Sequence, residues 1–200
     1  MKSTRLRQIL KSSYVKTIIL IIILFVSVFA FWFGLRYAFQ TEFPLLAVAS
    51  GSMIPTLDVG DLILVQGFSN ACEVNAASYP EGDIIVFHKP GLENELIVHR
   101  AVSKVENDDT CYFETKGDHN SIADKWSGPE TWDNKISERL LVGKVVGKVP
   151  WLGHIPLFMR TPSGILIIVL LFIVLIIVDF IFPQKRDEKT TSQEEEILSM

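Results

Sequence analysis

Two long apolar runs near the ends of the chain constrain its fold more than any other feature. The first extends from residue 17 to about residue 39, and the second from residue 165 to residue 182 with Asp179 near its far end. Each is close to the roughly 20 apolar residues that a helix needs to cross a bilayer. Residues 41–160, which lie between them, are long enough for one domain with its own core.

Positive charge flanks both runs on the sides that face the chain ends. Five basic residues and no acid precede the first run, and Lys185, Arg186 and Lys189 follow the second. Short basic flanks of this kind stay in the cytoplasm. We therefore predict a cytoplasmic basic segment at 1–16, transmembrane helices at 17–39 and 163–182, an extracytoplasmic domain at 41–160 and a cytoplasmic tail at 183–200.

The first run has a second interpretation, as a cleavable signal peptide. It follows a basic start, and Ala47-Val48-Ala49 beyond it fits the small-x-small pattern of a cleavage site. However, the run is longer than an ordinary signal-peptide core of about 7–15 residues. Cleavage after Ala49 would also leave Ser50 as the new N-terminal residue, so we favour an uncleaved anchor.

The region between the two runs is typical of a mainly β fold. Short segments rich in β-branched residues alternate with turn residues, and no segment has a helical period. Residues 121–138 are mostly polar, with Trp126 and Trp132 among them, which predicts a long loop. The predicted strands are Leu45–Ala49, Leu62–Val65, Asp83–Phe87, Leu96–Val102, Cys111–Thr115 and Leu141–Val149.

Composition and spacing exclude some classes of ligand. The middle region has no basic stripe, so nucleic-acid binding is not expected. No spacing of histidine, cysteine or acidic residues matches a metal site, and we predict no cofactor. The two cysteines, Cys72 and Cys111, either form a disulfide in an oxidising compartment or remain as buried free thiols, and their sequence separation does not decide between these outcomes.

The segment just beyond the first run is the strongest candidate for chemistry. Ser50-Gly51-Ser52-Met53-Ile54-Pro55-Thr56 places two small hydroxyl residues around a glycine, which allows the backbone to turn tightly. A serine on such a bend, next to a strand, is well placed to act as a nucleophile. An inert Ser/Gly/Pro loop is the alternative interpretation of the same residues.

A serine nucleophile needs a base to remove its proton and a carboxylate to orient that base. Of the four histidines, only His99 lies within a predicted central strand, with Arg100 on the opposite face. Asp118 and Asp124 both follow the strand that ends at Thr115, and both are candidates for the carboxylate. The alternatives are a purely structural histidine and a non-catalytic, membrane-anchored peptide-binding β-domain.

These segments, taken in order, resemble the conserved boxes of the type I signal peptidases, the serine endopeptidases that remove signal peptides from secreted proteins. Bacterial members typically have a lysine where this chain has His99, so the chain is similar to the archaeal and endoplasmic-reticulum type, which uses Ser, His and Asp. Neither Lys104 nor Lys116 is at the position that a Ser-Lys protease would require. The matching segments are Ser50–Leu57 for the nucleophile box, Gly82–Phe87 for a following strand, Val98–Arg100 for the base box, Lys116–Asn120 for the acidic box and Gly143–Pro150 for the last strand.

The resemblance implies a signal-peptidase-like β-barrel or sandwich domain between an N-terminal and a C-terminal transmembrane helix. Within it, Ser52 would be the nucleophile and His99 the general base. Asp124 would orient His99, and Asp118 would support the site. The hydroxyl of Ser50 and the backbone N–H of Ser52 would form the oxyanion hole.

The resemblance also implies substrates, partners and location. The substrate would be a signal-peptide-bearing precursor that lies extended against strand edges, with small side chains at positions −1 and −3 in shallow apolar pockets. No individual substrate-binding residue follows from it. Besides precursors, the partners would be the lipid bilayer and, as a candidate, the secretion translocon. The enzyme would be a multi-pass protein of the cell membrane with its catalytic domain on the extracytoplasmic side.

Overall fold

The computed structural model describes residues 13–181 of the chain. The basic residues at 1–12 and the predicted tail at 183–200 therefore lie outside the described residues. The chain divides into two compact units between His154 and Ile155. The first unit holds an apolar helix and all the strands, and the second holds a long apolar helix near the C-terminus.

Helix α1, Ser13–Phe39, is the predicted N-terminal apolar helix. Its residues 17–39 are long and apolar enough to cross a membrane, and none of the stretch is buried inside the protein. Side chains such as Leu20 and Phe31 are each 66% exposed. An N-terminal helix that is apolar on all sides and not covered by protein fits both interpretations given above, an uncleaved anchor and a signal peptide.

A short helix α2, His154–Met159, begins at the boundary between the units, and the second unit contains the longer helix α3, Pro162–Ile181. Proline at the start of α3 is favourable because the first residues of a helix do not need a backbone donor. The apolar part of α3, Pro162–Val178, has fewer than 18 residues and is shorter than the stretch found in α1. A helix thus lies at the expected position, and its role as a second membrane span stays a prediction.

The middle region forms one antiparallel sheet of eight strands, which confirms the mainly β fold. The spatial order is β1-β2-β8-β3-β4-β5-β7-β6. All six predicted strands are present, although β4 is much longer than expected because it continues through a bend into its pairing with β5. The strands are β1 Leu45–Ala47, β2 Leu62–Gln66, β3 Ile84–Lys89, β4 Leu92–Asn107, β5 Thr110–Lys116, β6 Thr131–Trp132, β7 Lys135–Ser137 and β8 Leu141–Val149.

The sheet is a half-barrel, whereas the resemblance implied a β-barrel or sandwich domain. Its edge strands are β1, with three residues, and β6, with two. Within residues 13–181 no pairing joins these two edges. Strands this short offer few backbone groups for closing a barrel, so the β1 edge remains available for another chain.

Strand β3 separates two apolar clusters, one on each face of the sheet. Ile85 and Phe87 pack into a cluster that also contains Phe113. Val86, between them, belongs to the second cluster together with Met53. This division follows from the alternation of side chains along a strand.

The long loop predicted at residues 121–138 is partly wrong, because a hairpin of β6 and β7 lies within it. Asp133 and Asn134 at its tip have φ angles of 47° and 61°, which a two-residue hairpin turn of the I′ type requires. Strand β7 pairs with β5, and Ile136 is fully buried. The polar composition of the segment gave no indication of this hairpin, which is held against the core by the buried Ile136.

The two cysteines form a disulfide, which resolves the alternative left open above. Cys72 lies in a 3₁₀ turn, Ala71–Glu73, and Cys111 lies on β5. The bond links residues 39 positions apart, with their Cα atoms separated by 5.6 Å. It connects the β2–β3 crossover to the strand that leads towards Asp118.

Candidate active site

The turn after β1 presents Ser52 at the surface of the second apolar cluster. Met53 and Leu57 are 1% and 2% exposed, and the N–H of Leu57 donates to the carbonyl of Met53 over 2.9 Å. These two buried side chains hold the turn in place while Ser52 stays partly exposed. The Oγ atoms of Ser50 and Ser52 are 3.3 Å apart.

The end of β5 packs directly behind Ser52, and Gly117 makes this approach possible. A Cβ atom on Gly117 would lie 2.6 Å from the carbonyl oxygen of Ser52, which is closer than real contacts allow. The N–H of His119 donates to the same oxygen over 2.9 Å. The segment that carries both candidate aspartates is therefore hydrogen-bonded to the turn that carries Ser52.

His99 lies on β4 opposite Ile85 of β3, and its side chain contacts Asp124. The His99 Nδ1 and Asp124 Oδ2 atoms are 2.5 Å apart, and the two side chains are 11% and 14% exposed. The loop after β5 folds back to bring the carboxylate here, because the N–H of Asp124 donates to the carbonyl of Thr115 over 2.8 Å. With Nδ1 facing the carboxylate, Nε2 is the nitrogen left to act on a nucleophile.

Asp118 instead forms a buried ion pair with Arg100, on the opposite side of β4 from His99. Nε and Nη2 of Arg100 donate to the two carboxylate oxygens over 2.7 and 2.6 Å, and the side chains are only 4% and 2% exposed. The remaining guanidinium N–H groups donate to the carbonyls of Pro80 and Gly82 and to the hydroxyl of Thr56. All five N–H donors of Arg100 are thus hydrogen-bonded within the fold. This is typical of an ion pair that stabilises the structure.

A cleft of about 380 Å³ brings Ser50, Ser52 and His99 to one surface. No lysine lines it among the described residues; Lys104 donates to the carbonyls of Cys72 and Val74 instead. Sequence reasoning missed the cleft's apolar lining, because alternating apolar residues in a strand have the same pattern whether they face a core or a ligand. The other lining residues are Ala47, Val48, Ala49, Met53, Glu95, Leu96, Ile97, Val98 and Asn120.

Two unpaired strand edges border this cleft. Among residues 13–181, strand β1 pairs only with β2. Strand β4 pairs with β5 only from Arg100 onward, so residues 96–99 have a sheet partner on the β3 side alone within the described part of the chain. The exposed backbone groups of both edges can bind an extended peptide by adding a strand between them.

Asp61 stabilises the turn that carries Ser52. Its side chain accepts a hydrogen bond from the N–H of Asp58 over 3.0 Å and another from Nζ of Lys148 over 3.1 Å. The same Nζ donates to the carbonyl of Thr56, within the turn that follows Ser52. Burial alone would raise the pKa of Asp61, but the hydrogen bonds from Asp58 and Lys148 outweigh it and lower the pKa below 3.8.

A lowered carboxyl pKa has a defined effect on stability. The Asp61 contribution is fully present above pH 3.8 and is lost as the pH falls below that value towards the folded-state pKa. We expect Asp61→Asn to lower the free energy of unfolding at neutral pH by about 1–3 kcal/mol and to flatten its decline below pH 4. Denaturant unfolding across pH 3–7 measures both effects.

The matched control for that prediction is Asp83→Asn. Asp83 also accepts from a backbone N–H and faces a lysine, Lys144, but the lysine is 3.5 Å away and the carboxyl side chain is 25% exposed, compared with 4% for Asp61. Equal pH profiles for the two variants would contradict the role given to Asp61.

Comparisons with known proteins place these residues in context. The family model described as "Signal peptidase, peptidase S26" matches residues 11–112, a stretch that includes Ser50, Ser52 and His99 but ends before Asp118 and Asp124. The chain is also similar to the signal peptidase complex catalytic subunit SEC11 of Saccharomyces cerevisiae strains YJM789 and RM11-1a. Each is 32% identical over 139 residues, which cover 68% of this chain and 77% of the relative.

Proposed function

The chain belongs to the signal peptidase family, peptidase S26, in its archaeal and endoplasmic-reticulum form, and on this basis we propose that it is a membrane-anchored serine endopeptidase with a Ser-His-Asp site. Family membership supports cleavage of N-terminal signal peptides. We further propose which residues are catalytic, that the chain is anchored in the membrane, and how it is oriented there. Its substrates are secreted and membrane precursor proteins.

One observation carries the assignment of residues. Ser52 and His99 line the same cleft, and the imidazole of His99 is hydrogen-bonded through Nδ1 to the carboxylate of Asp124. A serine, an imidazole and a carboxylate in this relation form the arrangement in which the carboxylate orients the base and the base activates the serine. Asp118 supports the site through its ion pair with Arg100.

The chemistry follows from this arrangement. Oγ of Ser52 attacks the carbonyl carbon of the scissile bond while Nε2 of His99 takes the hydroxyl proton, and Asp124 stabilises the resulting imidazolium. The tetrahedral oxyanion accepts hydrogen bonds from the N–H of Ser52 and the hydroxyl of Ser50. When the C–N bond breaks, His99 gives its proton to the leaving amine, and water then hydrolyses the ester on Ser52.

The two unpaired strand edges support an extended binding mode for the substrate. A precursor that adds a strand between β1 and residues 96–99 gains backbone hydrogen bonds on both sides. The cleft wall next to Ser52 is formed by small and aliphatic residues, including Ala47, Met53 and Val98. Such a wall suits small side chains at positions −1 and −3 of the precursor.

The proposed location rests on two apolar helices and a disulfide. Helix α1 is apolar on all sides and uncovered by protein, and we propose α3 as a second span. The Cys72–Cys111 disulfide suits an oxidising, extracytoplasmic compartment. The yeast relatives are named as catalytic subunits of a complex, so partner subunits are a further proposal for this chain, as is contact with the secretion translocon.

The experiment that tests the proposed function is cleavage of a precursor by the purified full-length chain in detergent. We expect cleavage after a small residue at −1 and none when −1 and −3 carry large aromatic side chains. N-terminal sequencing of the product identifies the bond. Binding of the precursor without any cleavage would favour the alternative of a non-catalytic peptide-binding domain.

Topology is tested separately, by cysteine labelling in intact cells. We expect a single cysteine introduced beyond residue 183 to be protected from a membrane-impermeant maleimide, because the basic residues that follow the second run keep this end in the cytoplasm. A cysteine at the exposed position Ile122 should be labelled and serves as the control. Labelling of the C-terminal cysteine in intact cells would contradict two membrane spans.

A further inference from the structure

Thr115 is a polar residue in an apolar environment. It follows Cys111 and Phe113 on the inward face of β5 and is fully buried. A hydroxyl removed from water destabilises the fold unless it finds hydrogen-bond partners. The partners of Thr115 therefore indicate why a threonine is present at this position.

Both partners of the Thr115 hydroxyl lead to the candidate site. Its oxygen lies 2.7 Å from Oδ2 of Asp124 and 2.8 Å from Nε1 of Trp126. An indole N–H can only donate and a threonine hydroxyl has a single proton, so Trp126 donates to Thr115 and Thr115 donates to Asp124. Oδ2 of Asp124 is the same atom that lies 2.5 Å from Nδ1 of His99, so one chain of hydrogen bonds extends from the indole to the imidazole.

Trp126, at one end of this series of hydrogen bonds, is held in place by the hydrophobic core. The Trp126 ring meets the ring of Phe87 edge-on, with centroids 5.6 Å apart, and packs against the first apolar cluster. Its backbone N–H donates to the carbonyl of Asn134 in the β6–β7 hairpin over 3.2 Å. The indole N–H is therefore presented from a rigid position, although the loop that carries Asp124 has no regular secondary structure of its own.

We propose that Thr115 and Trp126 are positioning residues for the general base: they hold the Asp124 carboxylate at the angle from which it orients His99. This inference rests on the proposed function, since it assigns Asp124 to that role. A carboxylate on an irregular loop has rotational freedom, and a directed donor on Oδ2 reduces it. Groups that orient a catalytic residue in this way affect activity even though they do not touch the substrate.

The test compares kcat, KM and melting temperature for Thr115→Val, Thr115→Ser and Trp126→Phe in the full-length chain. Valine keeps the shape of threonine and removes the hydroxyl, serine keeps the hydroxyl, and phenylalanine keeps a ring without the N–H. We expect Thr115→Val to lower kcat about 10- to 100-fold, as the loss of one hydrogen bond to a charged group implies, with KM nearly unchanged. Thr115→Ser should restore most of the rate, and Trp126→Phe should lower kcat about 3- to 10-fold.

A matched control separates positioning from ordinary stability. Thr41 is also buried, and its hydroxyl also donates to one partner, the carbonyl of Val142, and accepts from another, the N–H of Phe43. We expect Thr41→Val to lower the melting temperature without changing kcat per active molecule. If Thr115→Val behaves in the same way, the hydroxyl is only structural and the proposal is wrong.

A spectroscopic measurement gives a result that does not depend on turnover. The proton between His99 Nδ1 and Asp124 should give a far-downfield resonance in ¹⁵N-histidine-labelled protein, absent from His99→Ala. We expect this resonance to shift or broaden in Thr115→Val and Trp126→Phe but not in Thr41→Val. An unchanged resonance in both Thr115→Val and Trp126→Phe would overturn the proposal. If Thr115→Val does not fold, Trp126→Phe supplies both measurements.

Failure of the wild-type chain to cleave any precursor would reject the proposed function itself. Wild-type rates in Thr115→Val beside an inactive Asp124→Asn would reject only the positioning role of Thr115 and Trp126.

Discussion

Precursor cleavage by the purified chain should disappear when Ser52 is replaced by alanine. The substitution removes one oxygen, whose hydrogen-bond partner is the Oγ of Ser50 at 3.3 Å. The buried Met53 and Leu57 still anchor the turn, so the variant should fold. Loss of a serine nucleophile costs on the order of 10⁶ in kcat, which places the residual rate below detection in an ordinary precursor assay.

Ser50→Ala is the matched control for Ser52→Ala, because it removes the other hydroxyl of the same pair. If Ser50 is a donor to the oxyanion, its loss should lower kcat by about 10²–10³ and leave measurable cleavage. Melting temperatures of both variants should lie close to that of the wild type. Normal processing by the Ser52→Ala protein would remove the nucleophile assignment, and equal losses in the two variants would remove the distinction between their roles.

The second large effect concerns the two aspartates. We expect Asp124→Asn to give a stable protein whose kcat falls by about 10⁴, because an amide beside Nδ1 favours the wrong imidazole tautomer while the geometry stays the same. Asp124 is 14% exposed and contacts the imidazole directly. Its loss should therefore appear in kcat and only weakly in the melting temperature.

Asp118→Asn should behave in the opposite way. Asp118 neutralises an arginine whose side chain is 4% exposed and whose five donors are all engaged within the fold. Removal of one partner from a buried ion pair leaves the other charge uncompensated and costs about 3–5 kcal/mol of stability. We expect a clear drop in melting temperature together with a loss of active protein. Thermal unfolding and single-turnover kinetics on both variants decide the matter, and a stable but inactive Asp118→Asn beside a near-normal Asp124→Asn would reverse the two roles.

The order of elements was predictable because its signals are local. A run of apolar residues about 20 long forms a helix such as α1, whatever the rest of the chain does. Runs rich in β-branched residues between turn residues marked β3 and β5, and β8 was predicted at its observed bounds, Leu141–Val149. The β6–β7 hairpin was missed because its strands are two and three residues long, too short for alternation to be visible.

For the candidate site, the sequence by itself determined which residue types were available and the strand on which the histidine would lie. Ser52 and His99 could be chosen from the bend after an apolar segment and from a position inside a strand. The family resemblance implied that Asp124 orients His99, but the residues themselves left Asp118 as an alternative, because the two are six residues apart and both follow β5.

Only the tertiary structure decided which group each aspartate contacts, and it did so through contacts between distant residues. The approach of Gly117 to Ser52 and the turn back of Asp124 onto Thr115 aim one carboxylate at His99 and the other at Arg100. The Cys72–Cys111 disulfide and the path from Trp126 to Asp124 depend on long-range pairing in the same way. Hydrogen-bond direction is set by where strands end and loops close, and these are properties of the packed sheet that no stretch of the chain encodes on its own.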